Sequence, residues 1–264
     1  MNVMLTLFSI PFFSESRLQF IRWVQSKTKS ATHLIHICTP NPEHVMLARK
    51  NPEFLSILQN SDLNLPDGVG IVWASRMLGQ ENRIFERISG RDAMMIILRE
   101  LNIYSSTTNN KMTVLFLGGQ DGEAQQAIDH MQAQLRHITL ISCEGYDSVV
   151  DQKKEESENI LASIQHSKPN AIFVAFGAPY QETWIAQNRH MLEHHGVRFA
   201  MGVGGAFAQL AGKQALAPQF VQNFGFEWLW RLVHEPWRWK RQLSLISFVF
   251  LVMRERFSRS KKQY

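Results

Sequence analysis

The sequence lacks several things, and each absence excludes something. It has no long hydrophobic run: the longest, Leu243 to Met253, has 11 residues, against the roughly 20 that a bilayer-spanning helix needs. Cysteine is scarce, with only Cys38 and Cys143 in 264 residues, both in apolar stretches. That excludes a disulfide scaffold and predicts two buried thiols in a reducing compartment. No His/Cys/Asp/Glu grouping has metal-ligand spacing. A Gly-Lys-Ser/Thr phosphate loop is absent, and no Gly-x-Gly-x-x-Gly follows the first apolar run, which argues against a dehydrogenase. The opening MNVMLTLFSIPFF has no basic residue and no A-x-A cleavage site, and Pro11 interrupts it. It reads as a first strand, not a signal peptide.

What is present is a globular composition, 45% hydrophobic and 19% charged, with length for one large domain or a domain plus an appendage. The formal charge of +5 is distributed unevenly. From Phe224 to Tyr264 there are nine Lys/Arg against three Asp/Glu, so the preceding residues are close to neutral. The same tail holds four of the seven tryptophans: Trp228, Trp230, Trp237 and Trp239. The pattern predicts a core over residues 1–223 and a basic, aromatic helical appendage over 224–264.

Strand-like runs alternate with helix-like stretches. Met4–Ile10 reads as a strand, with Ser14 as the cap of a helix to about Val24. Leu34–Cys38 is a short strand, followed by a helix over about 43 to 59. Met112–Leu117, Ile138–Cys143, Ala171–Phe176 and Phe199–Val203 are further strands with helices nearby. Ser105–Asn110 reads as a polar loop, a candidate junction between lobes. The order implies an α/β, Rossmann-like, largely parallel sheet flanked by helices, with ligand contacts at the strands' C-terminal ends.

Several segments can carry chemistry, and each has a plain structural reading beside the functional one. Leu65-Pro-Asp67-Gly-Val-Gly70 is either an ordinary Asp-Gly turn or a fixed turn holding a general base. Gly177-Ala-Pro-Tyr-Gln181-Glu182 follows a strand, where Gln181 can bond sugar hydroxyls or merely open the next helix with Glu182. Gly118-Gly119-x-x-Gly122 and Gly202-x-Gly204-Gly205 can present backbone N–H groups to a diphosphate or serve close strand–helix packing. Arg83, Arg87 and Arg91 surround Glu86 and Gly90, as a phosphate clamp or as a solvated loop. In the tail, Arg231, Arg238 and Arg241 are spaced to share one helical face. That face suits a lipid headgroup boundary, a pyrophosphate, or solvent over a helix packed on the core. A nucleic-acid surface would use the same tail but leaves Asp67 and Gln181 without a role, and the rest of the chain has no positive excess.

Taken in order, Thr39-x-Asn41-Pro-Glu, Leu65-Pro-Asp67-Gly-Val-Gly, Glu86-Arg87-Ile-Ser-Gly90, Phe116-Leu-Gly-Gly119, Gly177-x-Pro179-x-Gln181-Glu182, Gly202-Val-Gly-Gly-Ala-Phe207, Ala217-Pro218 and Glu227-Trp-x-x-Arg231-Leu-x-x-Glu-Pro-x-Arg238-x-x-Arg241 resemble the WecG/TagA/CpsF family of bacterial glycosyltransferases over nearly the whole chain. The resemblance implies an inverting, metal-independent transferase without a cofactor. It implies transfer of N-acetylmannosamine or its uronic acid from a UDP-sugar to a polyprenyl-diphosphate-linked acceptor in cell-surface polysaccharide or teichoic acid synthesis. By the same resemblance Asp67 is the proposed catalytic base, and Thr39, Asn41 and Gln181 line the sugar pocket; Arg87, from its own segment, is a further candidate substrate contact. Gly118, Gly119, Gly204 and Gly205 are candidate diphosphate contacts from their loops, and the resemblance places Arg231, Arg238 and Arg241 in the appendage that completes the active site, with Arg231 at the leaving diphosphate. The appendage docks on the anionic inner face of the cell membrane, so the enzyme is cytoplasmic and peripheral. A homo-oligomer is compatible with this pattern. Three departures, Ala208 after Phe207, Leu216 before Ala217-Pro218, and Tyr180 before Gln181, leave the donor sugar open to a glucosyl alternative. A membrane-associated UDP-sugar-binding protein without turnover also fits the residues.

Overall fold

The computed structural model describes residues 4–78, 83–214, 217, 218, 221, 227–234 and 239–260. The first apolar run is two strands, not one: β1 (Met4–Leu7) and β2 (Ile10–Phe13) form an antiparallel hairpin. Its two-residue turn, Phe8-Ser9, has φ of 53° and 66°, the twist that joins antiparallel strands tightly. Neither residue is the glycine or asparagine that usually signals such a turn, so the sequence reads through it. The helix that follows, α1 (Arg17–Ser30), is capped by Ser16 in a reciprocal box with Gln19, not by Ser14. Ser14 is buried instead, and its carbonyl accepts from Phe85 N–H.

The expected helix over 43 to 59 is divided. Strand β3 (Ile35–Cys38) leads to α2 (Pro42–Ala48), and a second helix, α3 (Pro52–Asn60), starts afresh. Both begin alike, with Asn41 or Asn51 as N-cap and a proline in the first turn. Proline's missing N–H costs nothing at that position, but inside a helix it would break one. The repeated Asn-Pro-Glu is the signal for the break.

Next come β4 (Leu63–Asn64), α4 (Val69–Met77) and α5 (Gly90–Thr108). The last turn of α5 contains Ser105–Thr108, so that segment is helix and not a loop between lobes. Ser105 is buried, its Oγ bonded to His137 O, and Asn109 ends the helix in the left-handed region. The remaining elements are β5 (Met112–Gly118), α6 (Glu123–Met131), β6 (Ile138–Cys143), α7 (Lys154–Ser167), β7 (Ala171–Ala175), α8 (Tyr180–Gln187), α9 (Arg189–His194), β8 (Phe199–Gly202), α10 (Ala206–Leu210), α11 (Glu227–His234) and α12 (Trp239–Ser260).

Strands β3 to β8 form one sheet in the order β4-β3-β8-β7-β5-β6, with every pairing parallel. Both faces are covered, which is why the central strands read as unbroken apolar runs. Val114, Phe116 and Phe173 point to one core with Phe20, Ile97 and Phe207. Leu115, Leu117, Ile172 and Val174 point to the other with Ile164, Trp184 and Leu192. Phe116 and Phe207 stack at 4.8 Å. The fold is therefore the expected Rossmann-like α/β sheet flanked by helices.

A third core lies under the hairpin. Phe12, Val45, Phe54 and Ile71 pack there with Phe248, Leu251 and Val252 of α12. The helix thus uses one face to hold the core. Its opposite face exposes Leu243, Ile246, Phe250 and Phe257, a single stripe at intervals of three, four and seven. Among the described residues no helix is long and apolar enough to cross a membrane.

Candidate active site at the C-terminal edge of the sheet

In a parallel sheet all the strand-to-helix loops emerge at one edge, and a ligand crevice opens where neighbouring connections run in opposite directions. Here β3 connects outward to β4, while β8, its neighbour, leads to α10, which packs on α6 at the far side. The loops after β3, β4, β7 and β8 therefore surround this crevice.

The β3 and β4 loops are fastened together by their backbones. Leu65 N–H donates to Cys38 O and Asp67 N–H to Pro40 O, and Ile88 N–H donates to Pro66 O. Gly68 has φ of +92°, a conformation costly for a residue with a Cβ, and Pro42 stands 3.3 Å from where that Cβ would be. At Gly70 a Cβ would come within 2.7 Å of the Pro42 ring. The turn is thus clasped against the start of α2, and it holds the Asp67 carboxylate partly exposed. Arg87 Nε pairs with Asp67 Oδ1 at 3.4 Å. Thr39 is buried, with its hydroxyl 3.2 Å from the position of a Cβ on Gly90. Asn41 Oδ1 accepts from His44 N–H and so caps α2. Thr39, Asn41, Asp67 and Arg87, which lie in three separate segments of the sequence, are brought together on this side of the crevice. Glu86 turns away and accepts from Arg17 N–H, and Arg91 lies 4.0 Å from Asp92.

On the other side, Gln181 is buried in the first turn of α8 with both ends of its amide engaged. Its Oε1 accepts from Gly204 N–H at 3.0 Å, and its Nε2 donates to Glu182 Oε1 at 2.8 Å. Gly204 N–H is thus already committed within the protein. Gly205 precedes α10 as its N-cap residue. Gly118 and Gly119 have φ of +87° and +88°. A Cβ on Gly118 would meet the Phe176 ring at 2.8 Å, and one on Gly119 would lie 3.4 Å from Phe207. In the loop that follows, Glu123 Oε2 accepts from Gln120 N–H, so a carboxylate already sits at the start of α6. Both glycines are thus closely packed against their neighbours.

Two buried side chains had no functional role assigned from the sequence. Glu182 is almost wholly buried, and its Oε2 has no hydrogen-bond partner among the described residues. Its signal was present in the Gln-Glu pair, but a glutamate opening a helix ordinarily faces water. His36, on β3, lies 3.5 Å from Cys38 Sγ. Burial lowers its pKa to about 4; nearby Asp62 opposes the shift and Arg189 adds to it. Burial, then the Glu182 charge, pushes the Cys38 thiol well up. Cys38 and Cys143 are both free thiols; Cys38 is buried and Cys143 half-buried.

Of the three tail arginines, Arg231 lies on α11 and Arg241 on α12, while Arg238 lies outside the described residues. Among the described residues no group of three or more His, Cys, Asp or Glu could hold a metal ion.

A loop edge that holds the partly exposed Asp67 carboxylate beside Arg87 suits group transfer, and comparison with known proteins agrees. Residues 5–262 match the model of the glycosyl transferase WecG/TagA/CpsF family. The chain is 27% identical to an N-acetylglucosaminyldiphosphoundecaprenol N-acetyl-beta-D-mannosaminyltransferase of Bacillus subtilis, covering 98% of this chain and 94% of that one. It is 32% identical to the protein of the same name from Bacillus spizizenii, over 86% and 82% of the two chains. A Staphylococcus aureus protein of that name is 26% identical over 93% and 91%. With the family match spanning almost its whole length, the chain is a glycosyltransferase and belongs to the WecG/TagA/CpsF family.

Proposed function

We propose that this glycosyltransferase moves N-acetylmannosamine, or its uronic acid, from a UDP-sugar onto a polyprenyl-diphosphate-linked N-acetylglucosamine. The product would enter a cell-surface polysaccharide or teichoic acid. The observation that carries the reading is the Asp67 carboxylate, fixed by the Gly68 turn and paired with Arg87 at the crevice mouth. The relatives' printed names supply the sugar and the acceptor.

The reaction is an inverting displacement. Asp67 takes the proton of the acceptor hydroxyl as its oxygen bonds to the anomeric carbon. The bond from that carbon to the diphosphate oxygen breaks on the opposite face, and the electron pair leaves with UDP. Negative charge developing on the diphosphate needs cations. Arg231, Arg238 and Arg241 are assigned that task in place of a metal, with Thr39, Asn41, Arg87 and Gln181 on the sugar side. The enzyme works at the inner face of the membrane, docked through residues 224–264. Support for docking comes from the exposed apolar stripe of α12, flanked by the exposed Arg254.

The deciding experiment offers a panel of UDP-sugars with a short-chain polyprenyl-diphosphate-N-acetylglucosamine and follows UDP release and the product's anomeric configuration. UDP-N-acetylmannosamine or its uronic acid should be used, with inversion. Preference for UDP-glucose, or binding without release of UDP, would overturn the assignment.

A further inference from the structure

We infer that Glu182 is a positioning residue: through the Gln181 amide it sets the backbone of the β8–α10 loop, and thereby the donor side of the crevice. The inference rests on the donor site proposed above, but its first readout is independent of it.

The argument is one of donors and acceptors. Gly204 N–H can only donate, and the Glu182 carboxylate can only accept. An amide between them satisfies both in one orientation alone, with NH₂ toward Glu182 and C=O toward Gly204. That is the arrangement observed, at 2.8 and 3.0 Å. Amide orientations are often ambiguous on geometry, but here the neighbours' chemistry decides it. Both side chains are nearly inaccessible, at 3% and 2% exposure, so water does not compete for these bonds and their loss is costly.

Gly202 belongs to the same device. A Cβ there would lie 2.6–2.7 Å from three atoms of the Gln181 side chain. The end of β8 is bare so that the amide can cross it and reach the loop beyond. Three separate parts of the Gly177–Gly205 region therefore meet around one hydrogen-bonded chain. A glutamate in the first turn of a helix has no need to be buried for the helix's sake. Burial of this one has a purpose if the carboxylate orients Gln181.

The test is an exchange of the two side chains. Gln181→Glu keeps an acceptor for Gly204 N–H but loses the donor to Glu182 and sets two carboxylates against each other, so the side chain should be pushed off its seat and hydrogen exchange at the peptide covering residues 202–210 should rise. It should also raise the KM for the UDP-sugar about tenfold, the order expected for a charge-assisted hydrogen bond, with acceptor KM much less affected. Gln181→Glu combined with Glu182→Gln restores the bond between the two side chains in the reverse direction, since the new amide at 182 donates to the new carboxylate at 181, which still accepts from Gly204 N–H. Exchange at Gly204 should then return to within about threefold of wild type. Gln181→Met, of similar length and apolar, should keep the fold while leaving Gly204 as fast to exchange as in the single carboxylate variant. If the double exchange does not restore protection at Gly204, or Gln181→Met leaves Gly204 protected, the relay is overturned. The exchange measurement decides this even if no UDP-sugar is turned over.

Discussion

Arg87 Nε stands 3.4 Å from Asp67 Oδ1, joining the turn after β4 to the segment that enters α5. Each side chain is about a quarter exposed. An ion pair in such a setting contributes little to stability, roughly 1 kcal/mol or less. Its value lies in holding one carboxylate in one direction at the crevice mouth.

Asp67→Asn should therefore bind donor normally and lose roughly 10²–10⁴ in kcat, the usual worth of a general base. Arg87→Met should leave the melting temperature within a few degrees of wild type while lowering kcat/KM. Steady-state UDP release and thermal melts check both. A near-normal rate in Asp67→Asn would remove it as the base.

The appendage prediction concerns a surface. Removing residues from 224 onward would also strip Phe248, Leu251 and Val252 from the core, confounding any loss of vesicle binding. Ile246→Ser with Phe250→Ser alters only exposed positions. Each buried apolar side chain is worth about 1.5–3 kcal/mol on transfer from water, so partitioning onto anionic vesicles should fall at least tenfold with melting unchanged. Undiminished partitioning would show that this stripe is not the docking face.

His36 makes stability depend on pH. Its pKa is about 4 in the folded chain, below the ordinary 6.5. The unfolded chain therefore binds more protons between those values, and stability falls as pH drops through that window. Above about pH 6.5 the effect is absent, and below about pH 4 it is complete, at about 3 kcal/mol. Denaturant titrations at pH 7 and 4.5 should show a smaller loss for His36→Gln than for wild type. Equal losses would mean that His36 does not titrate across this range.

Activity should survive EDTA, because the proposed leaving-group cations are arginines. Full loss on chelation, restored by a divalent cation, would assign that role to a metal.

The central strands were legible because β5 and β7 are buried on both faces over most of their length, which leaves the apolar runs Val114–Leu117 and Ala171–Val174 to read. The hairpin was not, because Phe8 and Ser9 adopt a turn whose usual residues are absent. The α2–α3 break was written in the second Asn-Pro-Glu, which local pattern alone could have revealed. On the site, Asp67, Arg87, Thr39 and Asn41 come together as the motifs suggested. The engagement of Gln181 was hidden, since it depends on Gly202 and Gly204, which reach it only when β7 and β8 pair.

The strand order divides the crevice by ancestry along the chain. Everything on the Asp67 side comes from residues before α5 ends, and the Gln181–Gly204 side comes from residues after it. Strands β3 and β8 meet through Ile35–Phe199, His36–Ala200 and Ile37–Met201, a ladder of only three pairs. The separation between Asp67 and the Gln181–Gly204 side is thus fixed by a short seam in the middle of the sheet. A core substitution at that seam could detune the chemistry without touching a single residue that meets substrate.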